Sequence, residues 1–179
     1  MTNRERKTIS KMLIAFNTDF AMQDTEKISL IKSRFLNSFT VDVTKNPEYL
    51  LSLLTTAYKE RNAEDVEWSI AAALMFDLVT EEYSDILKKL LEADWHFKHE
   101  DIFSIFQTLK LPETVEILYS TALRRFNYLN YDEFYALAVK CLWALGEINS
   151  DEAKEKLHLL AQSENEIVRK NAIEQLERD

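Results

Sequence analysis

A chain of 179 residues with a single glycine, Gly146, and two prolines, Pro47 and Pro112, has almost nothing with which to interrupt a helix. Glycine supplies positive φ and close backbone approach. Tight hairpins, phosphate-cradling loops and dinucleotide fingerprints therefore depend on it, usually on several copies. No two glycines exist here to build such a loop. The chain is expected to be all-α, and nucleotide enzymes that rely on a glycine-rich loop are set aside.

The rest of the composition fits a folded helical domain. Hydrophobic residues make up 46% and charged residues 30%, the balance of an ordinary soluble protein with enough length to bury a core. The longest apolar run, Ile70 to Phe76, is closed by Asp77. A membrane span needs about 20 such residues, so no membrane partner is expected. The basic opening MTNRERKTISK is followed by no apolar stretch of signal-peptide type. Cys141 is the only cysteine, which excludes an internal disulfide. Together these point to a cytoplasmic location.

Helical spacing dominates from about residue 25. Asn46-Pro47-Glu48 opens a helix whose Leu50, Leu53, Leu54 and Ala57 follow at i, i+3, i+4 and i+7. Asn62 caps the next helix, which is expected to run to about Val79. Further starts are read at Thr80-Glu81-Glu82, at Pro112-Glu113 and at Asn149-Ser150-Asp151-Glu152. Gly146, just before the last of these, is expected at a helix end. About ten helices result.

A repeat underlies them. Leu53, Ile86, Tyr119 and Ala153 lie 33, 33 and 34 residues apart, and Ala57, Leu90, Leu123 and Leu157 share those separations. In the second helices Ala71, Ser104, Ala138 and Ala172 recur at 33, 34 and 34. A small residue there allows close helix approach. A large apolar residue follows one turn on as Met75, Leu142 and Leu176, with Thr108 as the misfit; a slip of one residue to Ile105 and Leu109 mends it. Four hairpins at one period imply stacking rather than a closed bundle. Their boundaries are about 46–79, 80–111, 112–147 and 150–178, read as one continuous domain at 46–179. Residues 1–45 fall outside the period and are expected to form an N-terminal helical cap, with Ile28, Ile31, Phe35 and Phe39 inward and 39–45 as linker.

The segment Ser163-Glu164-Asn165-Glu166-Ile167-Val168-Arg169-Lys170-Asn171-Ala172-Ile173-Glu174-Gln175-Leu176 resembles the second helix of a HEAT repeat: an acidic start, Val-Arg, then a small residue and Leu one turn later. Asp151-Glu152-Ala153 through Leu157 and Leu160 is similar to the matching first helix. The resemblance implies a right-handed α-solenoid of HEAT-like hairpins and a scaffold that binds macromolecules. It implies no reaction.

Charge is unevenly placed. Residues 1–45 hold 8 Lys/Arg and 5 Asp/Glu, whereas 46–179 hold 14 and 26. An acidic body disfavours direct nucleic-acid binding and favours a basic protein partner, or serves solubility alone. An acid pair opens each second helix: Glu64/Asp65, Glu100/Asp101, Asp132/Glu133 and Glu164/Glu166. In a stack these pairs would line one edge as an acidic ridge, although acids at helix starts also favour the macrodipole. Near the third pair, Tyr128, Tyr131 and Tyr135 add aromatic contact area suited to an interface. The partner-binding residues are therefore expected to be Glu64, Asp65, Glu100, Asp101, Tyr128, Tyr131, Asp132, Glu133 and Tyr135.

Candidate chemistry is thin, and the chain is read as non-catalytic, with no cofactor and no metal. His96 and His99, with Glu92, Asp94, Glu100 and Asp101, form the densest ligand-type cluster, but the spacing straddles a helix–helix connection and reads as a polar loop. The single pair His99-Glu100 is too little for the HEAT-like di-iron hydroxylases, which carry several such pairs. A HEAT-like DNA glycosylase is a further, weaker alternative: Trp68, Trp95 and Trp143 with Asp77 offer its aromatics and its carboxylate. It needs a basic concave face, however, and the second helices begin with acids, while Trp68 and Trp143 read as core. Cys141 reads as an inert buried residue. In size, acidity, helicity and lack of a catalytic signature, the chain resembles immunity proteins that mask the cationic active site of a nuclease toxin. A generic adaptor or assembly scaffold is the alternative.

Overall fold

The computed structural model describes residues 1–20, 24–124 and 135–178. Among these there are ten α-helices, two short 3₁₀ turns and no strand, so the all-α expectation holds. Among the described residues no helix is long and apolar enough to cross a membrane. The chain divides into two compact units, Met1–Val79 and Thr80–Asp179.

Unit one contains α1 (Asn3–Phe20), α2 (Thr25–Ser38), α3 (Glu48–Glu60) and α4 (Ala63–Met75). α1 packs on α2 and on α4, and α3 packs on α4. The expected stripe of α3 is buried in full: Leu50, Leu53, Leu54 and Ala57. Ile31, Phe35 and Phe39 turn inward, with the Phe35 and Phe39 rings stacked at 4.5 Å. The connection between α2 and α3 is pinned by buried Val43 and by Asp42, which accepts from the Thr44 N–H and hydroxyl.

Unit two contains three hairpins: α5 (Ser84–Glu92) with α6 (His99–Leu109), α7 (Val115–Ala122) with α8 (Ala136–Ile148), and α9 (Asp151–Leu160) with α10 (Glu166–Leu176). The 3₁₀ turns Glu81–Tyr83 and Pro112–Thr114 lead into α5 and α7. First helices pack in series, α5 on α7 and α7 on α9. Second helices do the same, α6 on α8 and α8 on α10. Glu100 in the first turn of α6 meets Lys140 in the second turn of α8 at 2.9 Å, and Lys110 past the end of α6 meets Glu147 in the last turn of α8 at 2.6 Å, so these two helices run in the same direction.

α8 touches α6, α7, α9 and α10. A helix with four neighbours needs small residues on several faces. Ala138, Cys141 and Ala144 are buried among Leu137, Leu142 and Leu145. Gly146 belongs to this pattern. It lies inside α8, not at its end as expected, and a Cβ there would run into the Gln175 side chain of α10, with Cδ and Cβ at 3.1 and 3.2 Å. Two other expectations shift. α7 stops at Ala122, so Leu118 and Ala122 occupy the core while Tyr119 is half-buried and Leu123 is 59% exposed. In α6, Ile105 is buried and Ser104 exposed, as the one-residue slip anticipated.

Helix ends show how the glycine shortage is met. Asn62, Ser150 and Asn165 cap their helices through side-chain oxygens that accept N–H bonds from the first turn. At C-termini, Arg61, Asp77, Lys110 and Asn149 adopt φ between 51° and 57°, the left-handed region that glycine normally fills. α4 shows the full arrangement: Leu78 N–H reaches the Ala73 carbonyl at 2.9 Å and Asp77 N–H reaches the Leu74 carbonyl at 3.1 Å. α4 therefore ends at Met75, not near Val79, and Asp77 is its exposed terminator. Replacing Asp77 or Lys110 with glycine should relieve Cβ strain, less the extra entropy glycine gains in the unfolded chain. The expected net gain is about 0.5–1 kcal/mol for each, read as a rise of roughly 1–4 °C in thermal midpoint. A fall in midpoint for both variants would contradict the strain assignment.

Candidate functional site

The acid pairs expected at second-helix starts take different roles. Glu64 is exposed in the first turn of α4, but Asp65 is fully buried. The α4 helix phase turns Asp65 toward α1, where Arg6 grips it through two bonds of 2.7 and 2.8 Å and the Met1 amine lies at 3.2 Å. Burial pushes this carboxyl up, yet the Arg6 and Met1 cations outweigh that and hold it below the usual carboxylate range. Asp65 is therefore a docking residue for α1 and not part of a surface ridge, which corrects the expectation. Beside it, buried Glu5 accepts from the Tyr49 hydroxyl at 2.6 Å and from Thr2, and Tyr49 is pushed up to about 12 by that bond.

In unit two, Glu100 and Asp101 stand in the first turn of α6, Glu100 paired with Lys140 and Asp101 with Lys98 at 3.2 Å. Glu164 and Glu166 at the start of α10 are exposed and form no ion pair among the described residues. Tyr135 is half-buried just before α8 with φ of 51°. Tyr128, Tyr131, Asp132 and Glu133 lie outside the described residues, as do Phe126 and Phe134.

His96 stands in the connection between α5 and α6 and His99 opens α6, as their spacing implied, but neither is a solvated polar residue. Both are fully buried, with rings stacked at 4.4 Å and 14°. The chain leaving α5 folds back so that each imidazole caps the helix end it has just left. His96 Nε2–H donates to the Leu90 carbonyl and His99 Nε2–H to the Ala93 carbonyl, both at 2.8 Å. His96 Nδ1 accepts from the Lys98 N–H at 3.1 Å, which fixes the neutral tautomer. With both Nε2 atoms turned to carbonyls, the pair is built as a helix cap. Among the described residues no group of three or more His, Cys, Asp and Glu gathers closely enough to hold a metal. Burial lowers both imidazoles, His99 to about 4, with the His96 ring adding to the shift.

Of the tryptophans read as core, Trp143 is 42% exposed under the Arg178 guanidinium and Trp68 is half-buried. Cys141 is buried, and burial pushes its thiol well up, away from nucleophilic use.

One site was missed. A groove of about 360 Å³ runs between α1 and α2, with Arg4, Lys7, Lys11 and Arg34 on its walls. Its signal was in the sequence: the cationic excess of residues 1–45, with Arg4, Lys7 and Lys11 at i, i+3 and i+7.

Comparison with protein-family models, curated proteins and solved structures gave no match.

Two outcomes follow from this geometry. Below pH 6.5 an unfolded His99 takes up a proton that the folded one refuses until about pH 4. The stability involved is complete above pH 7 and is lost as pH falls through that window, about 3 kcal/mol in all. His99→Gln, which keeps a donor for Ala93 but cannot titrate, should show a shallower fall in urea midpoint between pH 7 and pH 4.5; identical slopes would contradict the assignment. Arg6→Ala leaves Asp65 buried with less compensation and should cost about 2–4 kcal/mol, while the double variant with Asp65→Ala should recover part of that. Simple additivity in the cycle would deny the coupling.

Proposed function

We propose that the chain is a non-catalytic protein-binding module, a stack of HEAT-like helical hairpins whose acidic second unit engages a basic protein. The observation that carries this reading is the packing in unit two, where α5, α7 and α9 follow one another in one series and α6, α8 and α10 in another, with α6 and α8 in the same direction. Repeat arrays place equivalent positions side by side in this way and use the resulting surface for recognition.

Charge indicates the kind of partner. Residues 80–179 hold 12 Lys/Arg against 20 Asp/Glu, a net −8, whereas residues 1–79 hold 10 against 11. Nearly the whole charge of the chain therefore lies in unit two. A field of one sign steers a basic partner and speeds association at low salt. The most concrete form is an inhibitor of immunity type that covers the cationic active site of a nuclease toxin, since a site built to hold phosphate must be positive. Glu164 and Glu166 contribute bare charge. Glu100 and Asp101 become available only as Lys140 and Lys98 are displaced.

Apolar exposure favours a second reading. Leu123 at 59%, Trp143 at 42% and Ile173 at 42% belong to the same unit and suit an adaptor that binds through apolar contact. Salt separates the two. A tagged chain incubated with host extract at low salt and eluted in salt steps should release one small basic protein near stoichiometry, and that protein's nuclease activity should fall when the chain is added back. Glu164→Ser with Glu166→Ser, or Glu100→Ser with Asp101→Ser, should weaken the complex about tenfold more than Asp151→Ser with Glu152→Ser, an exposed pair at the start of α9. Equal losses at all three pairs, or a complex indifferent to salt, would sink the inhibitor reading in favour of the adaptor.

A further inference from the structure

We infer that the groove between α1 and α2 binds a single-chain amphipathic anion, an alkyl or acyl chain ending in a phosphate or carboxylate. At about 360 Å³ the groove lies within the range of small-ligand sites. Its character changes from one end to the other. Arg4 Nη2 lies 3.4 Å from the Ser38 carbonyl, so the start of α1 sits beside the end of α2 and the two lining stripes run in opposite directions. Arg4 and Lys7 from α1 and Arg34 and Phe35 from α2 are thereby gathered at one end. Met12 and Ile31 follow, with Lys11 beside them, and Ala15 lies farthest along.

Among the described residues no carboxylate lines this groove. α1 sorts its charges by face: Glu5 is held by Tyr49 and Thr2, and Arg6 by Asp65, which leaves Arg4, Lys7 and Lys11 to the groove. Each exposed cation contributes little alone, and the apolar end is short. Useful affinity therefore requires a ligand that occupies both ends, with the anionic group among Arg4, Lys7 and Arg34 and the tail over Met12, Ala15 and Ile31. A simple anion or a simple hydrocarbon satisfies half of the site.

The test is calorimetric titration of the full chain with decyl phosphate below its micelle threshold. Saturable one-to-one binding is expected, with inorganic phosphate and decanol each at least about tenfold weaker. Lys7→Ser and Arg34→Ser should each weaken decyl phosphate about fivefold, and Ala15→Glu, which places a charge at the apolar end, should abolish it. Lys89→Ser, exposed on α5, should change nothing, and thermal melts confirm that each variant is folded. Four results would overturn the assignment: equal affinity for inorganic phosphate, no binding of decyl phosphate, the same loss in Lys89→Ser, or binding confined to phosphatidylglycerol vesicles. The last would make this face a membrane contact rather than a ligand groove.

Discussion

With one glycine available, the helices here that end in a left-handed turn must be stopped by a residue whose Cβ resists that conformation. Arg61, Asp77, Lys110 and Asn149 do this at α3, α4, α6 and α8. The end of α5 uses another device, in which His96 from the following connection and His99 at the start of α6 fold back and satisfy its carbonyls. Stability therefore flows from packing toward the turns, because the buried faces on either side hold each turn in place. Gly146, freed from turn duty, is used where backbone proximity matters, between α8 and α10.

Charged groups divide along similar lines. In unit one the decisive pairs are buried: Asp65 with Arg6, and Glu5 with Tyr49, both fixing α1. In unit two three ion pairs at the surface join like helices of successive hairpins, Glu100 to Lys140, Lys110 to Glu147 and Glu116 to Lys156. Exposed pairs add little stability. Their value lies in register, since each is satisfied at only one offset between neighbours.

Much of the fold was legible because its signals are local. Asn62 and Ser150 cap where a short polar side chain precedes an apolar stripe, and Leu50 to Ala57 follow helical spacing without interruption. What failed to read was long-range. Nothing in the dipeptide Glu64-Asp65 says which acid faces α1; that depends on the helix phase and on Arg6, 59 residues away. His96 and His99 look like surface residues until the return of the chain onto α5 is known. Leu123 matched the period, but α7 ends one residue before it. The groove residues are visible as a cationic excess in residues 1–45, but which of those cations share a face depends on the packing of α1 on α2.

Glu147 holds Lys110 with one carboxylate oxygen and Arg178 with the other, so three successive second helices are linked through a single side chain. The row alternates from helix to helix: a cation past the end of α6, an acid in the last turn of α8, a cation past the end of α10. A single hairpin duplicated between α8 and α9 would set two groups of like sign side by side and break the row. Growth that keeps this edge intact therefore proceeds two hairpins at a time, one ending in an acid and one in a cation, and lengthened descendants would be recognisable by an even number of added hairpins.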